Sequence, residues 1–157
     1  MVTAVLAKSE VTKINFSYSG ITVDANSFKR VVAAINGGKI HVKHKRSLGS
    51  KSGKYRYTHD ILFLGFKATG GDADREALIV HECVHAISDI KGTKMLVSKS
   101  EAVAYVAQCL YFYYKHEAAI KKGQKPTFKN KILKKAWDLA MKAVSNSTLT
   151  DSDAKPL

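Results

Sequence analysis

The sequence predicts an α+β fold: a small mixed or antiparallel sheet packed on one long helix, a second long helix beside it, and further helices toward the C-terminus. Three observations lead there. Short runs in the first half place apolar residues at a period of two, as at Ile14, Phe16 and Tyr18. Longer runs in the second half follow helical spacing, above all residues 74–90. Hydrophobic residues make up 45% of the 157, enough for a core and too many for a disordered chain. One domain is expected over 1–157, with 1–10 and 145–157 poorly ordered.

In chain order, 1–10 reads as an irregular lead-in and 11–19 as a strand. Gly20 marks a turn into a second short strand at 21–24. Ser27 is suited to cap a helix over 28–36, which Gly37-Gly38 ends. Residues 39–44 alternate, with Ile40 and Val42 expected inward, and 47–53 is a Gly/Ser loop. Residues 54–58 and 61–66 read as one or two further strands. Thr69-Gly70-Gly71-Asp72 breaks the sheet, and Asp72 caps a helix from 73 to 90 that Lys91-Gly92 closes. A second long helix opens at Ser98. An amphipathic helix over 130–144 turns Ile132, Leu133, Trp137, Leu139, Ala140 and Ala143 mostly inward.

Composition narrows the classes. No run of about 18 apolar residues is present, so no membrane span is expected. Nothing at the start resembles a signal peptide, which points to a cytoplasmic protein or to one exported without a recognisable signal. Cys83 and Cys109 fall on helix faces expected to be buried, and form no disulfide framework. The net charge of +13 calls for an acidic partner or a solvated surface, and does not choose between them.

Within the 73–90 helix stands His81-Glu82-Cys83-Val84-His85. Residues four apart on a helix share a face, so the two imidazoles can grip one metal ion. Glu82 lies about 100° round from His81, where a base acting on metal-bound water belongs. Ile79, Val80, Cys83, Val84, Ile87 and Ile90 fill the opposite arc. One side of the helix is therefore built for burial and the other for polar chemistry, with Glu76 near the start suiting the helix dipole.

A third ligand has to come from elsewhere. Glu101 follows His85 by sixteen residues, room for a helix end, a turn and a second helix returning beside the first. Glu117 is roughly 24 Å further along that helix, Glu76 is on the wrong arc and Glu10 precedes the sheet. A capping box, Ser98-x-x-Glu101, competes for the same carboxylate. Asp89, one turn past His85, is either an acceptor holding an imidazole or nearby backbone in place, or a helix-end surface group. Tyr105, one turn past Glu101, is either a donor near the ligands or a buried aromatic with a satisfied hydroxyl.

The run from His81 to Asp89, followed by Ser100-Glu101-Ala102-Val103-Ala104, resembles the zincin metallopeptidases, in their glutamate-liganded (gluzincin, thermolysin-like) branch, as a minimal single-domain form. The resemblance covers residues 54–115. It implies a zincin-like fold and a Zn2+ cofactor on His81, His85 and Glu101. It also implies hydrolysis of peptide bonds with Glu82 as general base, on a protein or peptide substrate, which the basic charge would suit if acidic. The strand before the motif helix would then edge the cleft. The chain departs from that branch in its short length, in Tyr105 where a carboxylate is common, and in lacking a clear downstream His and Tyr for the transition state. Ala86 to Ile90 lacks the glycine turn of the histidine-liganded branch. Two alternatives share the motif: an effector or toxin zincin with one protein target and an acidic inhibitor, and a basic nucleic-acid-associated protein with a non-catalytic metal site.

Overall fold

The computed structural model describes residues 2–49, 52–67, 72–124, 126–128 and 130–154. The architecture is α+β. Helices α1 (Val2–Leu6) and α2 (Ser9–Thr12) lead into a hairpin of β1 (Phe16–Tyr18) and β2 (Ile21–Val23). Ser19 and Gly20 both take positive φ, 51° and 81°, the conformation a two-residue hairpin turn requires. Helix α3 (Ala25–Asn36) follows, then β3 (His41–His44), β4 (Gly53–Arg56) and β5 (Ile61–Leu64). These three strands form a mixed sheet in the order β3-β5-β4, with β3 parallel and β4 antiparallel to β5. Then come α4 (Ala73–Ile90), α5 (Val97–Lys115), α6 (Glu117–Lys121), α7 (Lys131–Ser145) and α8 (Asp151–Ala154). Among the described residues no helix is long and apolar enough to cross a membrane.

Helix α4 is the centre of the molecule. It packs against α5 most extensively, and also against α3, α1, β2 and β4. Its bounds match the sequence reading, with the Asp72 side chain accepting from the Asp74 and Arg75 backbone N–H groups and Gly92 at φ 62° closing it. The rest of the sheet-breaking segment, 69–71, lies outside the described residues. Burial does not divide by arc as expected. The polar arc is covered too, leaving His81 5%, Glu82 5% and His85 7% exposed, while Ile90 is 41% exposed at the helix end. The cause is tertiary: β4 lies over one side of the helix and α5 over another, so its polar arc meets solvent at the cleft between them.

Several other expectations change for the same kind of reason. Residues 2–12 are helical rather than irregular, because Val2, Val5, Leu6 and Val11 bury against the α3–α5 core. The strand expected over 11–19 shrinks to Phe16–Tyr18. Asp24, not Ser27, caps α3: its carboxylate accepts from the Ser27 N–H at 2.7 Å. Val42 is 39% exposed because β3 is an edge strand, with only Ile40 before it reaching the core. Ile132, at the start of α7, is exposed, whereas Leu139, Ala140 and Ala143 are buried as read. The loop expected at 47–53 contains a 3-10 turn at Arg46–Leu48, and its residues 50 and 51 lie outside the described set.

The C-terminal stretch is likewise tied down up to Ala154. The Ser17 N–H donates to the Ser147 carbonyl at 2.7 Å and the Leu149 N–H donates to the Ser17 carbonyl at 2.8 Å, which buries Leu149 beside β1. Residues 155–157 of that stretch lie outside the described residues. Both cysteines are buried free thiols, and burial pushes the Cys109 thiol up to about 12.

Glu76, in the first turn of α4, is a buried carboxylate. It accepts from the Tyr111 hydroxyl and from Lys8 Nζ, with Lys115 Nζ at 3.7 Å. A charge removed from water is tolerated only when so surrounded. Tyr111→Phe, which removes one charge-assisted donor and leaves the ring, should lower unfolding free energy by about 1.5–3 kcal/mol. Asp24→Ala, which removes only a cap, should cost about 1 kcal/mol. Urea denaturation of both variants checks the order; equal losses would mean the Glu76 cluster contributes nothing beyond an ordinary contact.

Candidate metal centre

Helix periodicity delivers the first two donors. One turn apart on α4, His81 and His85 sit with ring centroids 5.2 Å apart at 74°. Helix α5 delivers the third. The Glu101 carboxylate faces both imidazoles, Oε2 at 3.4 Å from His81 Nε2 and Oε1 at 3.4 Å from His85 Nε2. One ligand atom from each of the three residues lies within 4.8 Å of the others. The capping alternative for Glu101 does not form: α5 starts at Val97, its N-cap position is Leu96, and no side chain caps it.

This group suits a metal ion. Two imidazoles and one carboxylate are a borderline-soft, mixed N/O donor set. Donors bound tetrahedrally at about 2.0–2.1 Å from one ion stand about 3.3 Å apart, close to the 3.4 Å of each histidine–glutamate contact here. Glu101 is already biased to its ionised form, because hydrogen bonding with His81 and His85 holds its carboxyl well below the usual carboxylate range. A half-exposed carboxylate over two buried histidines also leaves the approach from the cleft open.

The surroundings hold the donors in place. His85 Nδ1 lies 3.0 Å from Ser100 Oγ and 3.1 Å from the Tyr57 hydroxyl, so its Nε2 is left for the carboxylate side. His81 is packed edge-on against the Tyr105 ring, centroids 4.6 Å apart, while its Nδ1 is buried without a hydrogen-bond partner among the described residues. Tyr105 is thus a half-buried wall of the site. Its hydroxyl makes no hydrogen bond to a described residue, unlike the satisfied phenol expected of a core aromatic. Burial, together with the Glu101 and Glu82 charges, raises its pKa.

Glu82 projects beside this group under β4. The Tyr55 backbone N–H donates to Glu82 Oε2 at 2.8 Å. Burial pushes the Glu82 carboxyl above the ordinary range, while His81, His85 and that N–H pull the other way. Strand β4 comes close enough only because residue 53 is glycine: a Cβ there would stand 2.8 Å from Glu82 Cγ. Asp89 does not hold an imidazole. It accepts from the Tyr55 hydroxyl at 2.8 Å, with Asp60 at 3.2 Å from the same hydroxyl, and so anchors the strand that holds Glu82.

The cleft edge is also displaced from expectation. The strand before the motif helix, β5, is central; the edge strand along the cleft is β4, one strand earlier. The opening has a volume of about 970 Å³, with the histidines and Glu82 on one wall and Leu78, Met95, Val97 and Leu133 on others. Sequence reasoning passed over Tyr55, Tyr57, Gly53 and Ser100. Ser100 stood next to Glu101 as a signal, but nothing local marks a β-strand N–H as the partner of a helix carboxylate. No protein-family model, curated protein or solved structure matches the chain.

Two groups share His85 Nδ1, so each should cover for the other. Ser100→Ala and Tyr57→Phe singly should weaken binding of a divalent ion severalfold, and the double variant by about 10–100-fold. Equilibrium dialysis against Zn2+ or Co2+ measures this, with His85→Ala as the non-binding reference. A double variant that binds like the parent would show that neither group orients the ring.

Proposed function

We propose that the protein is a zinc-dependent peptidase of zincin-like architecture, with His81, His85 and Glu101 as the metal-holding residues and Glu82 as the general base. The observation that carries this reading is the meeting of two α4 imidazoles and one α5 carboxylate at the wall of a cleft, with a buried glutamate beside them. A structural zinc is ordinarily enclosed by four protein ligands, whereas three with an open side suit catalysis. The antiparallel edge strand β4 beside the cleft supports an extended substrate, since an edge offers main-chain groups to a peptide laid along it.

His81, His85 and Glu101 would hold the zinc, which when bound would supply Lewis acidity toward a carbonyl and toward water near neutral pH. The chain's own residues do the rest. Glu82 Oε2 is occupied by the Tyr55 N–H, so Oε1 is the oxygen that takes the proton from the attacking water. The same oxygen then returns it to the leaving amine. Held by one hydrogen bond and by contact with Gly53, the carboxylate needs little reorganisation between the two transfers. Tyr105 is the phenol that supports charge developing on the substrate oxygen, because its hydroxyl is uncommitted while that of Tyr57 is engaged with His85.

Glu82→Gln should keep its metal and lose turnover on a mixed protein pool. Gly53→Ala should keep its metal while kcat falls about 10–100-fold, since the added methyl must displace the Glu82 side chain. Metal analysis beside a cleavage assay reads both variants. A Glu82→Gln chain that cleaves at the parental rate would remove the mechanism, and a parent chain with no divalent ion would remove the centre.

A further inference from the structure

The positive charge is not spread evenly. Residues 39–67 contain eight lysines and arginines against one acid, Asp60. That segment supplies seven of the thirteen net positive charges. It is also the segment that folds into the β3-β5-β4 sheet.

Strand alternation sorts it by face. Leu62 and Leu64 of β5, with Tyr55 of β4, turn to the core and are buried. Their neighbours turn outward: His41 and Lys43 on β3, Ile61 and Phe63 on β5, Lys54 and Arg56 on β4. The segment's one acid, Asp60, accepts from the Tyr55 hydroxyl and forms no ion pair with a described residue. Lys43, Lys54 and Arg56 have no ion-pair partner among the described residues. The outer face is therefore a basic platform with a small apolar centre.

The platform runs into the cleft. Lys54 and Arg56 line it from the β4 side and Lys94 from the α4–α5 connection, and among the described residues the acids lining it are Glu82 and Glu101. Resting on the peptidase reading, we propose that the substrate is an acidic polypeptide, whose carboxylates flanking the scissile bond engage Lys54, Arg56 and Lys94 and continue onto the outer sheet face. Cations placed on a narrow rim raise the local concentration of an acidic segment and orient it along β4. The aromatic content of the face favours polypeptide over single-stranded nucleic acid. Phe63, the phenyl ring of the outer face, is half-buried and has Lys45 Nζ over it at 5.3 Å, which occupies a ring face that a base would need to stack on.

The test measures binding and cleavage separately on the full chain. Fluorescence anisotropy follows labelled twelve-residue Glu/Gly, Ser/Gly and Lys/Gly peptides and a twelve-nucleotide oligothymidylate. The Glu/Gly peptide should bind tightest, and its affinity should fall as salt rises. K54E/R56E should weaken it at least tenfold, while the charge-matched K29E/K122E, on exposed positions away from the sheet, should change it less than twofold. In cleavage of an acidic protein, K54E/R56E should raise KM and leave kcat within twofold. Equal losses in the two paired variants, or tighter binding of the oligothymidylate, would overturn the proposal. Cleavage of neutral and acidic substrates with one KM, unmoved by K54E/R56E, would overturn it and leave the peptidase reading standing. Acidic-peptide binding that depends on Lys54 and Arg56 without any hydrolysis would keep the docking surface and remove the peptidase reading.

Discussion

The close packing of α5 on α4 is the constraint the site depends on. A glutamate side chain is short, so Glu101 meets His81 and His85 at 3.4 Å only if the two helix backbones approach closely. The buried stretch of α5 that follows Glu101 is made of Ala102, Val103, Ala104, Val106 and Ala107, all small or branched at Cβ. The α4 core contributes Ala77, Val80, Cys83 and Val84. Small side chains at an interhelical contact shorten the distance between axes. The apolar core and the polar site are thus two consequences of one helix pair, and a cavity or overpacking in that interface would be felt at the carboxylate.

The second constraint acts from the sheet. Strand β4 is joined to β5 along one edge, and its other edge gives the Tyr55 N–H to Glu82. The side chain of the same residue reaches Asp89, one α4 turn past His85. Burial raises the Asp89 pKa, and the neighbouring Asp60 carboxyl raises it further against the pull of the Tyr55 hydrogen bond. Main chain and side chain of one tyrosine therefore pin strand to helix at two points, on either side of His85. Such a clamp fixes the Glu82 carboxylate in place, and its N–H offsets part of the upward push that burial gives that carboxyl.

Charge is arranged with equal economy. The buried Glu76 carboxylate is surrounded by Lys8 from the α1–α2 connection, by Lys115 from α5 and by the Tyr111 hydroxyl. The unpaired cations of the sheet face outward beside the cleft. One basic composition serves both needs, neutralising buried Glu76 in the core and leaving a field on the sheet.

By itself the sequence determined the parts that follow from local periodicity and local capping. The whole of α4, its Asp72 cap and its Gly92 close were legible, as were the shared face of His81 and His85, because helix geometry depends on neighbours within four residues. The choice of Glu101 was legible through chain length and helix reach. What tertiary structure alone decided lies between segments distant in the chain. It made helices of residues 2–12 and buried the polar arc of α4. It moved the cleft edge from β5 to β4, and placed the Tyr55 N–H on Glu82 and Gly53 against it. Backbone donors leave no trace in residue type, and burial of a short segment depends on what packs over it. No reading of local pattern supplies either, because both are properties of contacts the chain makes only once folded.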